Sequence, residues 1–329
     1  DKGIKTTGGT NTIIVSETGS ITGAADGIHN SGDNNTVIIN GNVTSTSFDG
    51  VDLMANNTIT VGSSGSITAK DNGIEAEDGN TINIFGTVVA EYHGIDLGND
   101  TSSTSGGNVV VIHAGAVVRG DTAVKFDNGG NTLTVLGLLD GGIDTAGDGN
   151  TITISGSITT GGVDSTGIWN RAANNTTTLT STGVITVNGA ETDGIYNSGN
   201  NNITIVHGSI FVNGNGVSSS GNKSSGIFNY GNNSKTTLSG SIKTTGDYSG
   251  GIYNYGDSGY HTVSGSITTD GTEAYGIVNS GYSGNTNTNT TTISGTVKST
   301  GTRSAALYNK SGSGNSFTLN EGATIIGDI

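Results

Sequence analysis

The stretch GIYNSGNNNITIVHGSI, Gly194 to Ile210, reads as Gly-Ile-aromatic-Asn, a polar turn, an alternating strand and a closing Gly-Ser-Ile. Cousins stand at Gly167 to Ile185 (GIWNRAANNTTTLTSTGVI) and from Gly251 onward (GIYNYGDSGYHTVSGSI). The Gly-Ile motif, or a variant of it, begins at Gly3, Gly27, Gly50, Gly73, Gly94, Ala123, Gly142, Gly167, Gly194, Gly226, Gly251, Gly276 and Ala306. The spacings centre on roughly 25 residues, within the range of stacked repeats. N-T-I-x-I or a variant follows most copies, as at Asn11, Asn57, Asn80, Asn131 and Asn150. G-S-I comes next, as at Gly19, Gly65, Gly156, Gly208, Gly240 and Gly265. Ile152 and Ile154 fall on one face and Thr151 and Thr153 on the other, the period of a half-buried strand rather than a helix.

Three short strands per repeat, none able to bury its inner face alone, predict a solenoid. The fold expected is an all-β, right-handed parallel β-helix of about 13 turns, with like residues stacked in columns ~4.8 Å apart. Residues 1–329 are expected to form a single such helix, with extra residues set out as surface loops, as in 213–225.

Composition agrees with this design. The chain has 58 Gly, no Pro and no Cys, and its apolar share is 31%, below that of an ordinary globular domain. A conventional two-layer core is hard to build from so few large side chains, whereas a regular recurrence of Ile and Val argues against disorder. Without cysteine there is no disulfide framework and no thiol chemistry. No run of apolar residues approaches a membrane span, and no signal peptide opens the chain. Twelve Lys and Arg against 27 Asp and Glu give a net charge of −15, so the basic stripe that nucleic acid requires is missing.

Within G-I-x-N the Gly makes a corner, the Ile points inward, the third residue points outward and the Asn returns inward. Asn30, Asn170, Asn197, Asn229, Asn254, Asn279 and Asn309 are therefore expected to form a ladder whose amides satisfy one another. The outward column runs His29, Asp52, Glu75, Asp96, Lys125 and Asp144, then Trp169, Tyr196, Phe228, Tyr253, Val278 and Tyr308. It turns from mostly acidic to mostly aromatic near Ala146, and it holds the single Trp of a chain that is only 5% aromatic. Tyr230 and Tyr255, two residues further on, widen the aromatic stripe. Such a row is either a contact site for sugar rings or protein, or a stack that stabilises the solenoid. A threonine face is expected at Thr134, Thr153, Thr178, Thr204, Thr237, Thr262, Thr292 and Thr318, but its flanking column is broken at Asn202, Lys235 and Tyr260. That break disfavours an ice-binding array.

Chemistry is sparse. The five histidines show no ligand-like spacing, and the Gly-x-Gly stretches are corners rather than phosphate cradles. Asp52, Glu75 and Asp96 on successive turns would bring carboxylates about 5 Å apart, the separation of a retaining glycosidase. The same trio would suit Ca²⁺, or form a solvated acidic face. No cofactor, resident metal or catalytic residue is assigned.

SGSITTGGVDSTGIWN from Ser155, SGSIKTTGDYSGGIYN from Ser239 and SGSITTDGTEAYGIVN from Ser264 resemble the repeats of bacterial autotransporter (type V secretion) passenger domains. The ending NEGATIIGDI from Asn320 is similar to turns in those passengers. The resemblance implies a Gram-negative source, export through the outer membrane, and display at the cell surface or release. It also implies adhesion to host glycan or protein, or homotypic self-association. The signal peptide and C-terminal barrel of the full pattern are missing, so a fragment of a longer passenger is expected, and no serine-protease insert is present. The reading is a non-enzymatic adhesin whose contact stripe is Trp169, Tyr196, Phe228, Tyr253, Tyr308, Tyr230 and Tyr255, with Asp52, Glu75 and Asp96 as an acidic patch. The alternatives are a polysaccharide lyase or hydrolase and, behind it, an ice-binding or S-layer-like structural protein.

Overall fold

The computed structural model describes residues 1–98, 106–162, 165–216, 224–281 and 288–329. Residues 217–223 of the expected loop lie outside the described residues. Every described element is a β-strand, and parallel strands in stacked coils form a β-solenoid of about 12 turns. The chain divides into two units, Asp1–Ile152 and Thr153–Ile329, each taken by itself below.

In the first unit one coil comprises Val51–Leu53, Thr58–Val61 and Ser66–Ala69. The next comprises Ile74–Ala76, Thr81–Ile84 and Thr87–Ala90. Strands of one kind pair in parallel, with Ile74 opposite Val51, Ile82 opposite Ile59 and Val88 opposite Ile67. All six side chains are fully buried, each such burial contributing about 1.5–3 kcal/mol. The last inward position of the Gly-Ile strand is also apolar, passing in register through Leu53, Ala76, Leu97 and Phe126.

A polar ladder does run through this unit, at the corner before each N-T-I-x-I strand. The backbone N–H of Asn11 donates to Asn35 Oδ1 (2.6 Å), Asn35 to Asn57 (2.8 Å), Asn57 to Asn80 (2.7 Å) and Asn80 to Asn108 (2.7 Å). Each amide thus caps a corner N–H that would otherwise be buried without a partner. Asn30 departs from the expected ladder. It accepts from Thr6 Oγ1 at 2.6 Å and donates to the corner Asn57 at 3.1 Å.

In the second unit, the opening stretch folds into Ile195–Asn197, Ile203–Val206 and Ser209–Val212. Its two ends explain its glycine. A Cβ on Gly194 would lie 2.4 Å from Ile210 Cγ2 and 2.5 Å from the Gly226 carbonyl oxygen, so only Gly fits where the coil closes. Asn201 takes the left-handed conformation (φ 59°) at the corner, which Asn tolerates better than most residues.

Here the expected ladder forms. Asn170 Nδ2 donates to Asn197 Oδ1 (2.7 Å), Asn197 to Asn229 (2.8 Å), Asn229 to Asn254 (2.8 Å) and Asn254 to Asn279 (2.9 Å). The same amides donate to threonines across the interior: Asn170 to Thr177 (3.2 Å), Asn197 to Thr204 (2.9 Å) and Asn229 to Thr236 (3.1 Å). Asn309 is exposed.

The threonine face needs correction. Thr178 lies opposite Ile205, and Thr204 lies opposite Thr177. Thr204 is therefore inward and fully buried, and Asn202 is a buried corner residue. Asn202 takes the place of Asn175 at the corner, so its strand begins at Ile203 and the outward positions carry Ile203 and Ile205. His261 occupies the inward column between Thr236 and Thr291. Neither of its ring nitrogens has a hydrogen-bond partner, and burial pushes its pKa down to about 3. Gly259 makes room for it: a Cβ there would lie 2.5 Å from His261 Nε2.

Candidate functional site

Period-two alternation and parallel register bring the aromatic column of the second unit together. Trp169 lies opposite Tyr196, Tyr196 opposite Phe228, Phe228 opposite Tyr253, Tyr253 opposite Val278, and Val278 opposite Tyr308. Trp169 and Tyr196 stack with ring centres 5.6 Å apart, and Tyr196 and Phe228 at 5.0 Å. Tyr253 meets Phe228 edge to face at 5.3 Å. Tyr230 and Tyr255 stack on each other at 5.3 Å, and Tyr230 stands perpendicular to Tyr196 and Phe228. The Arg171 guanidinium carbon lies 3.8 Å from the Trp169 ring centre, a cation–π contact. Trp169 Nε1 donates to Ser198 Oγ at 3.0 Å.

Because the rings of the main row stack on one another, their faces are largely spent inside it. What reaches outward is ring edges and phenol hydroxyls. Trp169, Tyr196 and Phe228 are half-buried and Tyr230 is exposed. Tyr253, expected on the exposed stripe, is buried at 5% exposure; Lys310 Nζ donates to its hydroxyl at 3.3 Å. The Tyr196 hydroxyl is pushed up to about 12, by burial first and then by Asp193 and Tyr230. Asp193 itself is pushed up to about 8 by burial, against the opposing hydrogen bond from the Ser225 N–H (2.7 Å). Tyr308 is exposed and stacks at 5.0 Å on Tyr275. Sequence reasoning missed Tyr275, which stands just before the motif glycine; its only signal was the Y-G-I-V-N spelling of that copy.

In the first unit Asp52, Glu75 and Asp96 do align on successive coils, but each is drawn to a different partner. His29 Nδ1 contacts Asp52 and lies 3.4 Å from Asp26, whose other partner is Lys2 at 2.8 Å. Ligating atoms of Asp26, His29 and Asp52 all lie within 4.8 Å of one another, a grouping invisible to linear spacing because stacking joins residues a full coil apart. Asp96 lies 3.4 Å from Lys125 Nζ, which also pairs with Asp127 at 2.5 Å. Asn72 joins Glu75 to Asp49, its backbone N–H donating to Asp49 Oδ1 at 3.0 Å and its Nδ2 lying 3.5 Å from Glu75 Oε2. Burial first, then the Glu75 charge, pushes the Asp49 carboxyl up to about 8. Glu75 is raised too, by burial and by the charges of Asp52 and Asp96. A cavity in this unit is lined by Gly106, Gly107, Asp127, Gly129, Gly130, Ala146, Gly147 and Asp148, and none of the three acidic residues borders it.

No family model and no curated protein matches the chain. Among solved structures, the chain is similar to the TibC-catalysed hyper-glycosylated fragment of TibA, at 15% identity and a TM-score of 0.35, over 99% of this chain and 100% of that one.

Proposed function

We propose that this chain is a β-solenoid adhesin of the autotransporter-passenger kind, displayed on or released from a Gram-negative cell. It binds host glycan or protein along the aromatic side of residues 153–329. One observation carries the reading. In a chain that is 5% aromatic, six rings form a single contact network, Trp169, Tyr196, Phe228 and Tyr253 on alternate strand positions and Tyr230 and Tyr255 just past the strand ends. Interior stability does not require rings there, whereas ring edges and hydroxyls held in a fixed row suit a partner laid across many weak contacts. Homotypic pairing along the same side is the companion role. The role is binding rather than catalysis, since the acidic residues of the first unit are engaged by Lys2, His29, Lys125 and one another.

Trp169 fluorescence tests this directly. Titration with a panel of host and bacterial glycans and host surface proteins, against dilution of the protein alone, is expected to give a saturable shift with one ligand class. Tyr230→Ala is expected to weaken that shift at least tenfold. A shift with protein concentration alone would make self-association the primary role. No response to either would remove the aromatic side as the binding surface.

A further inference from the structure

We propose that the aromatic side takes an acidic oligosaccharide, one whose carboxylate or sulfate groups are held by Arg171 and Lys310. The inference rests on the aromatic-side binding proposed above and names its ligand class.

Charge along the columns points to an anion. The residue two past each outward position forms a second column, which in the second unit reads Arg171, Ser198, Tyr230, Tyr255, Ser280 and Lys310. Parallel hydrogen bonding continues into it: the Tyr230 N–H donates to the Asn197 carbonyl, Tyr255 to Asn229 and Lys310 to Asn279. Neither this column nor the ring column beside it holds an Asp or Glu. The same two columns of the first unit carry Asp52, Glu75, Glu77, Asp96, Asp127 and Asp144. A chain with 27 acidic and 12 basic residues has thus kept acids out of this strip and placed two of its cations in it.

Both charges lie against the row of rings. The Arg171 guanidinium carbon is 3.8 Å from the Trp169 ring centre, at one end. Lys310 belongs to the coil of Tyr308 but reaches back two coils. Its Nζ donates to the Tyr253 hydroxyl at 3.3 Å and lies 6.0 Å from that ring's centre. The two cations therefore bracket Trp169, Tyr196, Phe228 and Tyr253, a row of three coil steps or about 14 Å. That is the reach of a short oligosaccharide rather than of one sugar. Arg171, Tyr230 and Lys310 are all exposed.

The donors suit an oxyanion. A guanidinium presents a planar fork that matches a carboxylate or sulfate, and an ammonium is a point charge with donors beyond the one Tyr253 engages. Nearby acids oppose this little. Burial lets Asp193, close to Tyr196, hold its proton up to about 8, and Glu273 is paired with Arg303 at 2.7 Å. At a net charge of −15 the chain as a whole repels an anion, so attraction has to come from this strip.

The test is isothermal titration calorimetry of the full chain with four probes. They are hexasaccharides of chondroitin (carboxylate only), chondroitin sulfate and oligosialic acid, and a carboxyl-reduced, neutral chondroitin hexasaccharide. At least one charged probe is expected to bind ten times more tightly than the neutral one, and to weaken as NaCl rises from about 50 to 300 mM. Comparison of the charged probes separates carboxylate from sulfate as the group recognised. Arg171→Gln with Lys310→Gln is expected to lose at least tenfold, and Arg171→Lys with Lys310→Arg to retain most of the affinity. Lys70→Gln with Arg119→Gln removes the same charge from the first unit and should leave binding within twofold. Equal affinity for the neutral probe, or an equal loss in the Lys70/Arg119 variant, would overturn the charge assignment while the aromatic side stood as a binding surface. No binding of any probe, with Trp169 fluorescence unmoved by the wider glycan and protein panel, would remove both.

Discussion

Residues 1–152 and 153–329 build the same kind of coil from opposite distributions of chemistry. The first unit keeps mostly apolar side chains inside, with Leu53, Leu97 and Phe126 at the end of the Gly-Ile strand between Asn30 and Thr145. It leaves His29, Asp52 and Glu75 half-buried on its outward column, where Asp96, expected in the exposed acidic patch, is instead buried beside Lys125. The second places Asn170, Asn197, Asn229 and Asn254 at that inner position, with Thr177, Thr204 and Thr236 bonded to them, and sets its rings outside. A lone buried amide is costly, but in parallel register each amide meets its copy one coil away, and the column satisfies itself. The solenoid thus tolerates a polar interior where a two-layer core would not. What decides acceptability is repetition along the column rather than polarity.

Breaking the apolar interior should have the largest effect. Phe126 is the largest fully buried side chain among the described residues, and Phe126→Ala is expected to cost about 3–5 kcal/mol, read by urea unfolding followed by circular dichroism. A loss under about 1 kcal/mol would mean that the interior closes over the gap and that the apolar column is dispensable.

Swapping one unit's residue into the other is the sharper challenge. Asn229→Leu places a first-unit side chain in the second unit's ladder. It deprives Asn197 Nδ2 of an acceptor and Asn254 Oδ1 of a donor, with an expected cost of about 2–4 kcal/mol despite the added apolar surface. Trp169 is the only Trp and lies in this unit, so its fluorescence reports the change locally. A neutral or stabilising outcome would show that the ladder is tolerated rather than required.

Smallest is the response of the second unit to pH. Folded Asp193 holds its proton up to about 8 against an ordinary 3.8, so its contribution is fully present below about pH 4 and is lost as pH rises through 8. Folded His261 refuses a proton down to about 3 against an ordinary 6.5, so its contribution is present above about pH 6.5 and is lost as pH falls through 3. Between those ordinary values the two slopes oppose. Asp193→Asn, which keeps an acceptor for the Ser225 N–H, is expected to flatten the fall in stability from pH 6.5 to 8. His261→Thr, which restores the column's usual residue, is expected to flatten the loss below pH 4. Unchanged slopes in Trp169-monitored unfolding would remove these two groups as the cause.

Much of this was legible in the chain itself. The recurring Gly-Ile-x-Asn and Thr-Ile-x-Ile spellings dictate short alternating strands. A strand that cannot bury its inner face alone must stack on its copies, so the parallel solenoid, the inward Asn ladder of the second unit and the outward aromatic column all followed. What sequence left open was settled by register and by neighbours a full coil away. Thr204 turned inward because Asn202 took the corner and shifted its strand start by one residue, and a shift of one exchanges the two faces. Tyr253 belonged to the outward column, yet it became buried among Phe228, Tyr255 and Lys310. Asp52, Glu75 and Asp96 aligned as their spacing implied, but their neighbours were His29, Asn72 and Lys125 respectively, chosen by proximity in the folded coils. Alternation along a strand fixes which side a residue faces; only stacking in three dimensions fixes what it touches there.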